Sequence, residues 1–306
     1  MELMMILLRQ LTIMFILMAV GYWLFSTKRI SLQGNQELGN MLLYVILPCA
    51  IVNSYISVEF SKERVNGLLW SFLAAALSLG LAILISRFAF GNRHKIEHFG
   101  TAFSNAGFMG IPIVQAVIGV EAVFYVAAFV ALLNILQWTY GVVVMSGKRD
   151  AISFKRLVTN PIILAMLAGV FLYLLRVPIP RVLKSAVSYL AGMNAPVAMV
   201  VMGVYLAQMP LKELLTEKYA YLSALFRLLV IPLCSIAVLS LIPAQYQDIR
   251  LAALIAASAP VGSNVAIFAQ LNGLDYTRAV KGVCLSTVCS ILTMPLIVGI
   301  AGIIWG

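Results

Sequence analysis

Charged side chains are scarce in this sequence, and acidic ones scarcer still. Only 10% of its 306 residues are charged, with 11 Asp and Glu against 21 Lys and Arg. A soluble domain carries about 25% charged residues, so this chain has too little charge to coat a water-exposed surface. No Asp or Glu lies deep in an apolar run; Glu121 and Asp275 sit where runs begin. Carboxylates inside a membrane mark proton relays, and their absence argues against a carboxylate-based proton or sodium mechanism. Histidine is limited to two residues, and the cysteines at 49, 234, 284 and 289 lack metal-ligand spacing. Those thiols are read as buried and free. Ser146-Gly147-Lys148 lacks the glycine frame of a phosphate loop, which excludes ATP-driven transport by this chain alone. The net charge of +10 forms no continuous basic face, because the Lys and Arg are scattered through short loops, so nucleic acid is not an expected partner.

Hydrophobic residues, by contrast, make up 62% of the chain, and the mean hydropathy is +1.01. Apolar runs repeatedly reach the roughly 20 residues that span hydrocarbon. Ten spans are expected, near 3–25, 38–57, 66–89, 98–118, 121–145, 157–176, 185–207, 219–242, 249–271 and 279–304. The N-terminal run is read as the first span, since no small-residue cleavage site follows Gly21. Loops after the odd-numbered spans hold 13 Lys and Arg against 6 on the other side. The positive-inside rule makes the richer side cytoplasmic and places both termini outside. Arg9 and Arg227 fall inside runs and are expected to snorkel to an interface.

The chain reads as doubled. Span four contains Ser104-Asn105-Ala106-Gly107-Phe108-Met109-Gly110-Ile111-Pro112, and span nine contains Ser258-Ala259-Pro260-Val261-Gly262-Ser263-Asn264. Both are glycine-rich and interrupted by proline. Gly119-Val120-Glu121 and Gly273-Leu274-Asp275 are 154 positions apart, as are Ser104 and Ser258. Five spans per half is odd, so the second half enters the membrane from the opposite side. Inverted repeats with broken helices at matching places point to a secondary transporter and its midplane site. The expected division is a first five-helix repeat (1–146), a short cytoplasmic linker (147–156) and a second, inverted repeat (157–306). Peptide groups freed by proline and glycine survive in a membrane only where protein or a wet cavity satisfies them, and half-helix N-termini attract anions.

These residues resemble the auxin efflux carrier family, which includes bacterial organic-acid permeases. The resemblance runs the length of the chain. It rests on Ser104-Asn105, Met109-Gly110-Ile111-Pro112-Ile113, Ala259-Pro260-Val261-Gly262, Asn160-Pro161 and Met294-Pro295-Leu296. It implies an all-α, ten-helix elevator carrier of the crossed-helix type. Spans one, two, six and seven would form a scaffold and homodimer contact, and spans three to five and eight to ten the moving domain. Pro112 would be the crossing-point proline and Asn105 a substrate-pocket residue. Where plant members carry a second proline this chain has Val265, and Gly147 to Arg156 replaces their long cytoplasmic loop.

The expected function is therefore secondary transport of a small organic anion, a mono- or dicarboxylate or auxin-like weak acid, in the cell inner membrane. Candidate substrate-binding residues are Asn105, Gly107, Met109, Pro112, Asn134, Gln137, Asn194, Pro260, Gly262, Ser263 and Asn264. Neutral amides and hydroxyls suit an anion because they add no competing negative charge. Two alternatives are a sodium- or proton-coupled symporter of the bile-acid type and a membrane metalloenzyme. The second would use His94 and His98, which with Glu97 match the His-x-x-Glu-His zinc pattern; no acidic third ligand accompanies them. The chain is thus expected not to be an enzyme and to carry no resident cofactor, with a coupling ion left open.

Overall fold

The computed structural model describes residues 2–210, 212 and 216–306. Residues 211 and 213–215, in the expected loop between spans seven and eight, lie outside the described residues, as does Met1. The described chain is all helical apart from one isolated antiparallel bridge, Ser104 with Val261. Seven helices are long and apolar enough to cross a membrane: α1 (Leu3–Ser26), α2 (Leu32–Ile56), α3 (Lys62–Phe90), α6 (Val120–Ser146), α8 (Arg181–Ala207), α9 (Lys218–Leu239) and α12 (Tyr276–Trp305). An eighth crossing results if α7 (Pro161–Leu174) is counted with the preceding segment Arg149–Val158, from which it bends by 45°.

The expected spans four and nine are not continuous helices. Span four is α4 (Lys95–Ala102) and α5 (Ala106–Val117); span nine is α10 (Gln247–Ser258) and α11 (Asn264–Leu271). None of the four pieces alone approaches the length of hydrocarbon. Gly119 and Gly273, 154 positions apart, follow the two second pieces, and both adopt positive φ (+128° and +64°).

Local chemistry sets the helix starts. Ser31, Ser61 and Asp275 cap α2, α3 and α12 by accepting from the amides of Gly34, Arg64 and Arg278. Asn160 Oδ1 accepts from Ile162 N (2.9 Å) and Ile163 N (3.2 Å), while Pro161 occupies the first helical position, where no donor is needed.

Proline also explains most of the irregular turns. π-Helical turns occur at Leu42–Ile46, Ala106–Gly110, Gln137–Gly141 and Phe226–Val230. Three of them immediately precede Leu47-Pro48, Ile111-Pro112 and Ile231-Pro232. A helical proline removes a donor and clashes with the carbonyl four residues back. Those carbonyls belong to Tyr44, Phe108 and Leu228, each inside a π turn, where the widened backbone relieves the clash. Pro295 shows that the response is not obligatory, since α12 runs through it without a π turn.

Packing divides the helices by neighbour. α1 lies along α8, and α2 packs against α7 and α8; α3, α6, α9, α10 and α12 pack on one another around α4 and α5. The α1–α8 contact is close because it is built on glycine. A Cβ added at Gly203 would overlap the backbone between Met18 and Tyr22, and one at Gly21 would overlap the backbone of Val200. Small residues of this kind let membrane helices gain dispersion contact where no hydrophobic driving force exists. Gly203→Ala is therefore expected to destabilise the protein by about 1–3 kcal/mol, the usual cost of overpacking. Gly80→Ala, with open space around its Cβ position, is expected to be neutral. Thermal unfolding of the two variants in detergent checks the contrast.

Candidate functional site

The breaks in the two interrupted helices meet. Asn105 N donates to Pro260 O (2.8 Å), and Gly262 N donates to Phe103 O (3.0 Å). Ser104 and Val261 face each other as the bridge, and Val261 N donates outward to Ser286 Oγ of α12 (3.1 Å). Each break thus satisfies peptide groups exposed by the other. Glycine is needed at 262, since an added Cβ would sit 3.1 Å from Ser104 O and 3.2 Å from Phe103 O. Ser258, which the repeat register aligned with Ser104, is the last residue of α10; Val261 stands opposite Ser104 instead.

A cavity of about 30 Å³ adjoins this crossing. Its polar lining is Ser104, Asn105, Asn134, Gln137, Ser263 and Asn264, with Gly107 and Gly262. The apolar wall comes from Leu43, Leu47, Phe108, Val130, Leu133 and Ile162. The N-terminal residues of both α5 and α11 line it, and the first amides of a helix have no intrahelical acceptor. Asn264 Nδ2 donates to Gln137 Oε1 (2.9 Å), joining α11 to α6. Asn134 Nδ2 turns back to Val130 O (2.9 Å). Ser104 Oγ is buried without a partner. No acidic side chain lines the cavity.

A larger cavity of about 250 Å³ lies beside it and shares Leu43, Phe108, Ser263 and Asn264. Its remaining wall is mostly neutral and polar, including Asn35, Gln36, Asn40, Tyr205, Gln270 and Tyr276.

Seven of the eleven residues singled out from sequence line the small cavity. The other four do not. Pro260 contributes its carbonyl to the crossing, and Pro112 opens the α-helical part of α5. Met109 is fully buried in the core, and the apolar wall comes from Phe108 and neighbouring helices instead. Asn194 reaches the site indirectly: its Nδ2 donates to Gly107 O (3.3 Å), and its Oδ1 is buried without a partner. Sequence reasoning missed Ser104 as a lining residue, although it named the Ser-Asn pair. It also missed the larger cavity, whose lining comes from α2, α5, α8, α11 and α12.

Arg227 overturns its expectation. It does not snorkel; it is 1% exposed, in the π turn of α9. Its guanidinium donates to Thr101 O (2.9 Å) and Ala102 O (3.3 Å) at the end of α4, and to Ala257 O at the end of α10. The His-x-x-Glu-His residues are engaged separately. His94 stacks on Tyr219 with ring centroids 4.0 Å apart. His98 bonds Gly91 O (2.8 Å) and Tyr140 Oη (3.0 Å). Glu97 pairs with Arg278 (2.5 Å), which also lies 3.7 Å from Glu217.

Multiple apolar helices of membrane-spanning length, packed around two interrupted ones, define a multi-pass membrane protein. The chain belongs to the family described as membrane transport protein, whose pattern matches residues 6–298 and which holds the auxin efflux carriers. The family's description names transport rather than catalysis. It is 29% identical over 209 residues to a Rhizobium meliloti protein named "Putative malonate transporter", covering 65% of this chain and 64% of that one. It is 27% identical over 199 residues to an "Uncharacterized transporter" of Methanothermobacter thermautotrophicus, covering 64% of each chain. The chain thus spans a little under two thirds of the length of each of these relatives.

The crossing makes a local prediction. Ser286→Ala leaves Val261 N without its acceptor in a buried site. An orphaned buried donor costs about 1–3 kcal/mol. The variant is expected to unfold at lower temperature and to exchange the Val261 amide faster, as read by hydrogen–deuterium exchange.

Proposed function

We propose that the chain is a secondary carrier of a small carboxylate, bound at the crossing of the broken helices. The observation that carries this reading is the lining of the cavity. Two helix N-termini, the amides of Asn105, Asn134, Gln137 and Asn264, and the hydroxyls of Ser104 and Ser263 converge there without an acidic group. Helix N-termini and neutral donors stabilise an anion. The partnerless Ser104 Oγ is a donor already desolvated and available to a ligand. The malonate named for one relative is a small dicarboxylate, the chemical class this reading calls for.

The ten-span, two-repeat organisation belongs to the same proposal. α4–α5 and α10–α11 each count as one broken span, in the first and second repeats respectively. The mutual packing of α1, α2, α7 and α8 supports a scaffold that would pair with a second copy. The remaining helices would form the moving domain, travelling elevator-fashion. The cytoplasmic side is assigned from the basic loops, with both termini outside and the protein in the cell inner membrane. The larger cavity is lined by residues at the start of α2, the end of α11 and the start of α12, which adjoin those basic loops. This conformation then faces the cytoplasm.

The decisive experiment is flux of radiolabelled two- to five-carbon mono- and dicarboxylates into proteoliposomes, with wild type, Asn105→Ala and Asn264→Ala compared. A hydrogen bond to a charged group is worth about 1.5–3 kcal/mol, so flux at low substrate is expected to fall about tenfold or more in each variant. Equal folding of the variants is checked by size-exclusion profile. If no acid moves in wild type under any imposed gradient, the carboxylate reading is wrong.

A further inference from the structure

Arg227 is the most deeply buried charge among the described residues, and the transport reading above gives it no role. It belongs to none of the ion pairs found among the described residues. Its partners are all backbone carbonyls: Thr101 and Ala102 at the end of α4, Ala257 at the end of α10. Nε is buried and makes no hydrogen bond. One helical turn earlier on α9, Ser223 Oγ bonds Thr101 Oγ1 (2.7 Å), fixing α9 against the same end of α4.

Carbonyls at the ends of half-helices carry partial negative charge. In broken-helix carriers such carbonyls hold the coupling cation. Here the C-terminal ends of both first pieces converge on a guanidinium, and no carboxylate among the described residues forms an ion pair with it. We propose that Arg227 is a tethered cation that takes the place of an exchangeable coupling ion at the crossing. This rests on the reading of the crossing as the carboxylate site, and it deepens that reading in two ways. The carrier needs no sodium. Its mobile unit also carries a fixed positive charge, which lies within a few residues of Asn105 and balances one negative charge of the substrate. A monoanion then crosses as a neutral complex, and the empty carrier returns with the charge. Arg227 acts as a positioning and charge-balancing residue; nothing places it in contact with substrate.

Two wild-type measurements test this without any substitution. Carboxylate uptake and thermal unfolding should be the same in sodium, potassium and choline salts. Saturable stabilisation by sodium, or uptake that requires it, would overturn the proposal. Arg227→Ala should lose flux about tenfold or more, since several charge-assisted bonds disappear together. It should also gain what wild type lacks, namely stabilisation and partial recovery of flux on adding millimolar guanidinium. A purely structural arginine would give the loss without the selective rescue. Arg227→Lys, which keeps the charge and has three donors for the same carbonyls, should retain more flux than Arg227→Gln; equal flux in the two would count against a charge role. If wild type carries no carboxylate, the anion reading fails, while the salt and guanidinium stability measurements still decide whether the cation site is internally filled.

Discussion

The constraint from which the site follows is the cost of an unpaired peptide group away from water. Each interruption in a membrane helix frees several backbone donors and acceptors, and hydrocarbon offers them nothing. The protein meets this by bringing its two interruptions together. Asn105 N and Pro260 O, and Gly262 N and Phe103 O, form a two-bond fragment of antiparallel sheet inside an otherwise helical molecule. Ser286 and Arg227 take up groups that this fragment leaves over. The close approach at Gly262 and the extended backbone at Phe103 serve the same pairing. Each break takes up peptide groups of the other, so backbone hydrogen bonds as well as apolar packing couple the two halves of the chain here.

That pairing also sorts the helix dipoles. The C-terminal ends of α4 and α10 share the cation of Arg227, while the N-terminal ends of α5 and α11 line the small cavity. Like ends of two helices would repel if brought together unaided. On the carbonyl side the guanidinium relieves this repulsion. On the amide side no acidic side chain does, and the relief falls to hydroxyls and amides, which are weak acceptors, or to a ligand. The absence of Asp and Glu from the apolar runs, visible in composition alone, is what leaves that side open to an added anion.

Much of this was legible in the sequence, for reasons that differ by element. The long spans were legible because membrane length imposes a run of about 20 apolar residues, and the few polar residues within α1, α3 and α12 do not bring their hydropathy below that of a span. The break in span nine was legible because Pro260 and Gly262 sit in it; the place of the break in span four was not, since Phe103 to Asn105 hold neither proline nor glycine and Pro112, expected at the crossing point, lies inside α5. The depth of Arg227 was not legible. Hydropathy places a residue along a span but not on a face, and the carbonyls that satisfy Arg227 come from residues more than 25 positions away. Met109 was assigned to the pocket by proximity to Asn105, but the π turn at Ala106–Gly110 puts Gly107 and Phe108 in the cavity lining and Met109 in the core. A usable signal for that turn did exist. Proline four residues after Phe108 conflicts with an α-helical carbonyl there, and the same spacing marks Tyr44 and Leu228.

Those π turns bear on how a solute would reach the crossing. Phe108 and Leu43 line both cavities, together with Ser263 and Asn264, and both lie in π turns that precede a proline. A π turn keeps backbone hydrogen bonds at i→i+5 spacing, as Leu47 N to Leu42 O and Ile111 N to Ala106 O do here, and such turns are frequent at functional sites. On the reading of the crossing as the carboxylate site, the Leu43 and Phe108 side chains border the way in. The paired breaks behind them hold each other's peptide groups, so in the proposed elevator motion the crossing would travel as one unit with its polar groups preorganised.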